Sequence, residues 1–335
     1  MHTCRYLLAT RRMTYDRAPD ARAVALSSAW SYDGRAMMRN LKLVIAYDGT
    51  DFHGWQFQPG LRTVQECLEQ ALRRVVRHQV VLIGCSRTDA GVHAAGYVAN
   101  FYTTSPAANG AIFRSIGSRL PKDMTLIHLA EVSLAFHATW STVSKLYRYH
   151  IHNAPGRPCE QLRQQHVYHY WNPLDVEKMR QAGECWVGTH DYSSFASAGN
   201  DRESNVRTVH SIEVCRVGQE IRIDIEGSGF LYKQVRNMVG TLCEFGRGHW
   251  PVEQAKDILD ARDRQAAGPT APARGLCLQW LRYDIPNLPE PSPELLERAA
   301  RANPPVGKAK ANVENQRRST APMPPGVELG DEPPA

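Results

Sequence analysis

The chain has 335 residues, 42% of them hydrophobic and 22% charged, with a formal net charge of +6. That supplies one large core or two medium ones and excludes a wholly disordered polymer, while the mild basic excess suits a polyanionic partner without arguing for one by itself. No run of about 18 apolar residues occurs, which excludes a helical membrane span.

Residues 1–38 carry arginines but no helical or strand period, and Asp16, Asp20 and Asp33 count against a transit peptide, so they read as a flexible N-terminal extension. The organised pattern begins after Met38. Leu41-Lys-Leu-Val-Ile-Ala-Tyr47 predicts a strand closed by a turn at Asp48-Gly49. Thr63-Val-Gln-Glu66 is a capping box, and Val64, Cys67, Leu68, Ala71, Leu72 and Val75 then recur at helical spacing. Val80–Gly84 and Tyr97–Thr103 read as strands, followed later by a strand over Lys145–His152 and a helix from about Pro173 to Trp186. Two further strands, Thr208–Cys215 and Ile221–Glu226, precede helices over Phe230–Phe245 and Pro251–Ala261. Strand-helix-strand-strand thus occurs twice, which suggests a duplication. The expectation is an α+β body with halves at 39–140 and 141–285, its helices gathered on one face of a mixed or antiparallel sheet. Eleven of the 21 prolines follow Ile285 and no aromatic residue follows Tyr283, so 286–335 reads as a disordered, proline-rich tail.

The eight cysteines form no C-x-x-C pair, which fits reduced thiols in the cytosol. His150 with His152 and His166 with His169 lack the further ligands of a metal shell, so no metal is expected. Three stretches carry unusual chemistry. In Gly84-Cys-Ser-Arg-Thr-Asp-Ala-Gly-Val-His-Ala94 a lone carboxylate, Asp89, sits at a strand exit, where it either caps a turn with Arg87 beside it or performs chemistry. Lys145-Leu-Tyr-Arg-Tyr149 alternates so that Tyr147 and Tyr149 share a face, either as half-buried sheet or as a stacking surface for bases. Arg236 lies on an otherwise apolar helix, where it either snorkels or is held by a buried carboxylate. Two other motifs fail. Ala46-Tyr-Asp-Gly-Thr50 lacks the nucleophile of an aspartate phosphatase, and Thr88-Asp89-Ala90-Gly91 lacks the second carboxylate of an aspartic protease.

Taken in order from Leu41 to Tyr283, the chain resembles the TruA-type tRNA pseudouridine synthases. The similarity rests on Gly54-Trp-Gln-Phe-Gln58, Thr63-Val-Gln65, Arg87-Thr-Asp-Ala-Gly-Val-His-Ala94, Leu120-Pro121, Phe136-His-Ala138, Lys145-Leu-Tyr-Arg-Tyr149, Val235-Arg-Asn237 and Ala271-Pro-Ala-Arg-Gly-Leu276. The resemblance implies two similar α/β halves with a continuous mixed, largely antiparallel sheet and a central basic cleft. It implies an isomerase that converts uridine to pseudouridine at positions 38, 39 and 40 in the anticodon stem-loop of tRNA. It implies Asp89 as the catalytic aspartate, a nucleophile at C1′ or else a base that removes a sugar proton to give a glycal, with Arg236 as its partner and Tyr147 as the contact to the target base, in a cytoplasmic homodimer that binds tRNA without metal or organic cofactor. Arg87 is then placed for a phosphate or the flipped nucleotide, and Arg73, Arg74, Arg77, Lys145, Arg148 and Lys233 are candidate surface contacts to phosphates. Ser86 departs from the glycine usual before the arginine, and Thr139 from the arginine usual after Phe-His-Ala. Two rival readings are an RNA-binding protein that has lost catalysis and a Mg²⁺-dependent phosphotransferase using Asp48.

Overall fold

A computed structural model describes residues 37–156, 164–199 and 204–284. All but Met37 and Met38 of the extension expected over residues 1–38, and the proline-rich tail, lie outside the described residues.

Strand β1 (Arg39–Tyr47) buries Leu41, Leu43 and Ile45 completely. Helix α1 (Val64–Val76) starts where the Thr63 hydroxyl accepts the Glu66 N–H and ends where Arg77 turns left-handed at φ 60°. Its buried stripe includes Val64, Leu68, Ala71, Leu72 and Val76, as the spacing requires. Glu69, invisible to that spacing, is buried as well. Burial pushes its carboxyl up, yet it accepts the Leu82 N–H at 3.1 Å and a bond from Arg73 at 3.0 Å, tying the helix to the chain that follows. The strand expected over Val80–Gly84 is shorter. Val80 and Leu82 are core residues, but only β2 (Ile83–Gly84) pairs, because the chain then leaves the sheet. Next come β3 (His93–Thr103), α2 (Asn109–Gly117) and β4 (Met124–Val132).

The second half opens with β5 (Thr142–His152) and β6 (Tyr168–His169). Helix α3 (Val176–Glu184) is shorter than expected because Asp175 caps it, accepting the Glu177 and Lys178 N–H groups. After β7 (Gly188–Asp191), β8 (Val206–Val217) and β9 (Glu220–Gly227), helix α4 (Gln234–Gly246) starts four residues later than its periodicity suggests, since Lys233 is left-handed at φ 58°. Helix α5 (Gln254–Asp260) and β10 (Leu276–Tyr283) complete the body.

The sheet runs β4-β1-β3-β10-β5-β9-β8-β7, with β2 beside β3 and β6 beside β5. The first half forms β4-β1-β3-β2 and the second β10-β5-β9-β8, with the same order and antiparallel senses in both. The duplication suggested by element order therefore extends to strand pairing. The halves join where β3 and β10 run parallel, His93 opposite Cys277 and Ala94 opposite Leu278. Helix α1 packs on α2 and α2 on β4, while α3 packs on α4 and β8.

Candidate active site

The connection from β2 to β3, residues 85–92, lies on a floor made by residues 52–55. Trp55 N–H donates to the Thr88 carbonyl at 3.1 Å and Gly91 N–H to the Phe52 carbonyl at 3.3 Å. Gly54 adopts φ +87°, and a Cβ there would meet the Thr88 carbonyl oxygen at 2.6 Å, so this close approach requires glycine. The Thr88 and Tyr47 hydroxyls bond each other at 2.9 Å beneath the loop. Asp89 closes the turn through its backbone carbonyl, which accepts the Val92 N–H at 3.2 Å. Its carboxylate is thereby left to point elsewhere.

That carboxylate meets Arg236, 147 positions away in sequence and in the first turn of α4. Arg236 Nη1 donates to Asp89 Oδ2 at 2.7 Å. The side chains are 14% and 20% exposed, so the pair is largely but not wholly removed from water. A second bond, Arg236 Nε to the Ala271 carbonyl at 2.8 Å, fixes the guanidinium plane. Of the two readings of Arg236, the structure selects the one in which a carboxylate holds it. Asp89 Oδ1 has no hydrogen bond among the described residues. One oxygen is anchored and the other open.

Tyr147, from the middle of β5, is 6% exposed and lies edge-on to Phe230 with ring centroids 5.5 Å apart. Its hydroxyl and that of Ser86 lie 3.3 Å apart. Burial pushes the Tyr147 phenol far above its usual range, the Ser86 bond opposes this, and the nearby negative charge of Asp89 adds to it. The phenol is therefore a proton-bearing donor at neutral pH. Ser86 is not among the positive-φ residues, so the backbone tolerates a side chain where the family usually has glycine. Thr139, at the other departure, donates to the Gly84 carbonyl at 2.6 Å. Arg87 is exposed beside this group and has no hydrogen-bond partner among the described residues.

The expected surface cations need correction. Lys145 is buried, its Nζ 3.4 Å from the Cys85 carbonyl, because its strand position faces the core. Arg148 is held by both oxygens of Asp224 at 2.8 Å. Arg73 pairs with Glu69 yet stays exposed, as do Arg74 and Arg77 on α1 and its cap, while Lys233 lies over the Tyr232 ring.

Sequence reading missed one cluster. Asp48, His93 and His166 bring potential ligand atoms within 4.8 Å of one another. His93 does not suit a metal: its Nδ1 accepts the Gly49 N–H at 3.0 Å and its Nε2 faces the Arg274 and Gln165 carbonyls at 3.1 and 3.2 Å. Burial, with His166 beside it, pushes its pKa down, in keeping with a neutral ring holding three chain segments together. Burial of Asp48 opposes ionisation, but hydrogen bonds from Thr50 and the nearby histidines outweigh it and hold the carboxyl below its usual range. His93 within the RTDAGVHA motif was the available signal, but its partners come from separate turns.

A family model described as tRNA pseudouridine synthase matches residues 43–141 and 183–284, more than half of the chain. The tRNA pseudouridine synthase A 2 of Clostridium perfringens is 42% identical over 246 residues, covering 73% of this chain and 100% of that one. The tRNA pseudouridine synthase A of Acetivibrio thermocellus is also 42% identical, and that of Clostridium kluyveri 40%, each over 73% of this chain and 100% of the relative. Among the described residues no helix is long and apolar enough to cross a membrane.

Proposed function

The chain belongs to the tRNA pseudouridine synthase family, and from that premise we propose that Asp89 is the group that cleaves and re-forms the glycosidic bond of uridine in tRNA. The observation that carries this reading is the 2.7 Å bond from Arg236 to one oxygen of Asp89 while the other stays open. Pseudouridine is an isomer of uridine, so nothing is oxidised and no group is added. The chain must release uracil from C1′, turn it and join C5 to C1′, after which C5 gives up its proton to solvent and N1 takes one up. Asp89 Oδ1 attacks C1′, and the uracil departs with the C–N bond electrons; its C5 then displaces the carboxylate. Arg236, bonded to the other oxygen of Asp89 at 2.7 Å and steadied by the Ala271 carbonyl, keeps the carboxylate aimed.

A stacked uridine cannot reach Asp89, so the nucleotide flips out at a cost of a few kcal/mol. Tyr147 contacts the extruded base and its hydroxyl supplies a hydrogen bond, while the exposed Arg87 takes the displaced backbone phosphate. The targets are uridines 38, 39 and 40 in the anticodon stem-loop. The protein works as a cytoplasmic homodimer with tRNA spanning both subunits.

Tritium release from C5-labelled uridine in tRNA tests the reaction. Wild-type protein releases tritium and Asp89→Ala does not; equal release by both would remove Asp89 from the chemistry. A primary isotope effect from 2′-deuterated uridine would replace attack at C1′ by proton abstraction to a glycal. Tyr147→Phe keeps the ring, so it retains tRNA affinity within about threefold while turnover falls roughly tenfold, the worth of one hydrogen bond to the reacting nucleotide. Loss of binding in that variant would contradict the contact assigned to the ring.

A further inference from the structure

The Ala271–Leu276 stretch supplies the Ala271 carbonyl to Arg236, but that use leaves Arg274 without a role. Arg274 is exposed and its guanidinium has no hydrogen-bond or ion-pair partner among the described residues, unlike those of Arg148 and Arg236. It lines a cavity of about 530 Å³ together with Tyr168, His169, Tyr170 and Trp171. That volume is of the size that takes a nucleotide-sized ligand. Trp171 is 63% exposed, and the His169 ring meets it edge-on at 5.1 Å, so the indole is supported from one side and open on another. Tyr168 and Tyr170 meet edge-on at 5.7 Å.

The cavity adjoins the Asp89 loop. A Cβ on Gly91 would lie 3.3 Å from the Ala273 Cβ. The Arg274 carbonyl faces His93 Nε2 at 3.1 Å, and the His166 ring, at the start of the aromatic segment, lies 4.4 Å from that of His93. Arginine and aromatic rings in one open cavity match a ligand that combines a phosphate with a flat ring. We propose that this cavity binds a second nucleotide of the RNA, a neighbour of the reacting uridine, its base stacked on Trp171 and its phosphate on Arg274. The proposal rests on the RNA-modifying reading above and adds to it a site that grips substrate without touching the reacting bond. An acidic peptide would use the arginine but not the rings. An apolar surface of a second copy would use the rings but not the arginine.

The test compares full-length wild type, Trp171→Ala, Trp171→Phe and Arg274→Gln for equilibrium binding of a tRNA transcript at several salt concentrations and for tritium release at saturating tRNA. Thermal melting confirms that each variant is folded. Trp171→Ala weakens binding roughly 5- to 100-fold while Trp171→Phe largely restores it. Arg274→Gln lowers the slope of log affinity against log salt by about one. Turnover at saturation stays within about twofold for all three, since the site contributes binding shared by ground and transition states. Unchanged affinity in both Trp171→Ala and Arg274→Gln overturns the proposal. So does a change in sedimentation of Trp171→Ala without loss of tRNA affinity, which would assign the cavity to a protein contact. Should the wild type bind tRNA yet form no pseudouridine, the proposed reaction falls while the binding comparison still decides the cavity.

Discussion

In the second half, β8 runs twelve residues, pairs along β9 and joins it through a turn at Gly218–Gln219. In the first half, the corresponding β2 pairs over two residues and then gives way to the loop of residues 85–92. One hairpin is finished and the other is not. The unfinished one leaves the edge of β3 open at His93–Ala94, and β10 from the other half takes that place. Asp89 is thus carried to the line where the halves meet, within reach of Arg236 on a helix of the second half. Each half also contributes one aspartate held by an arginine of the second half. Asp224 on β9 gives both oxygens to Arg148, whereas Asp89 gives one to Arg236. A carboxylate with both oxygens committed holds strands together; one with an oxygen to spare can react.

Substitution of the two aspartates separates these uses most sharply. Asp89→Asn lowers pseudouridine formation by about 10⁴-fold or more, with a melting temperature within a few degrees of wild type. Substantial turnover in that variant would erase the distinction. Arg236→Met comes next, with a loss of about 10²- to 10³-fold in single-turnover rate and a smaller effect on stability, because it removes the charge that orients Asp89. Asp224→Asn should do the reverse. It leaves Arg148 without its counter-charge and costs about 2 kcal/mol in denaturant unfolding, below the range for fully buried pairs because Arg148 is 27% exposed, while activity per folded molecule is kept.

The smallest effect concerns the join. His93 is held neutral with its pKa below the ordinary 6.5, so on acidification the unfolded chain takes up the proton first. Its contribution to stability is present above pH 6.5 and is lost as pH falls from there through the folded-state value. His93→Gln can still accept the Gly49 N–H and donate to a carbonyl but does not titrate. Its unfolding free energy should therefore fall less steeply over that window than that of wild type, measured by urea titration at stepped pH.

Residues in long periodic elements were legible from the sequence, because the pattern itself is what gets buried. Helix α1, with its Thr63 cap, and the alternating tyrosines of β5 are such cases. Helix α2 was not legible: it is nine residues long and has no side-chain cap. Strands β4 and β10 were missed although they border β1 and β5, since their identity depends on partners distant in the chain. In the site, Asp89 stood out as a lone carboxylate, but its pairing with Arg236 became an expectation only through the family resemblance, because spacing left two readings of Arg236 open. The burial of Lys145 and the capture of Arg148 by Asp224 depend on register across β5 and β9, which no single segment records.

The parallel contact between β3 and β10 has a consequence for the order in which the enzyme is made. Asp89 leaves the ribosome early, but Arg236, the Ala271 carbonyl that steadies it and the strand that docks beside His93 are all translated late. Domains assemble broadly in the order of synthesis, so the first half can form with its aspartate exposed but unpaired. The Ala271 carbonyl and strand β10 can therefore join the Asp89–Arg236 pair only after residues 271–283 have emerged.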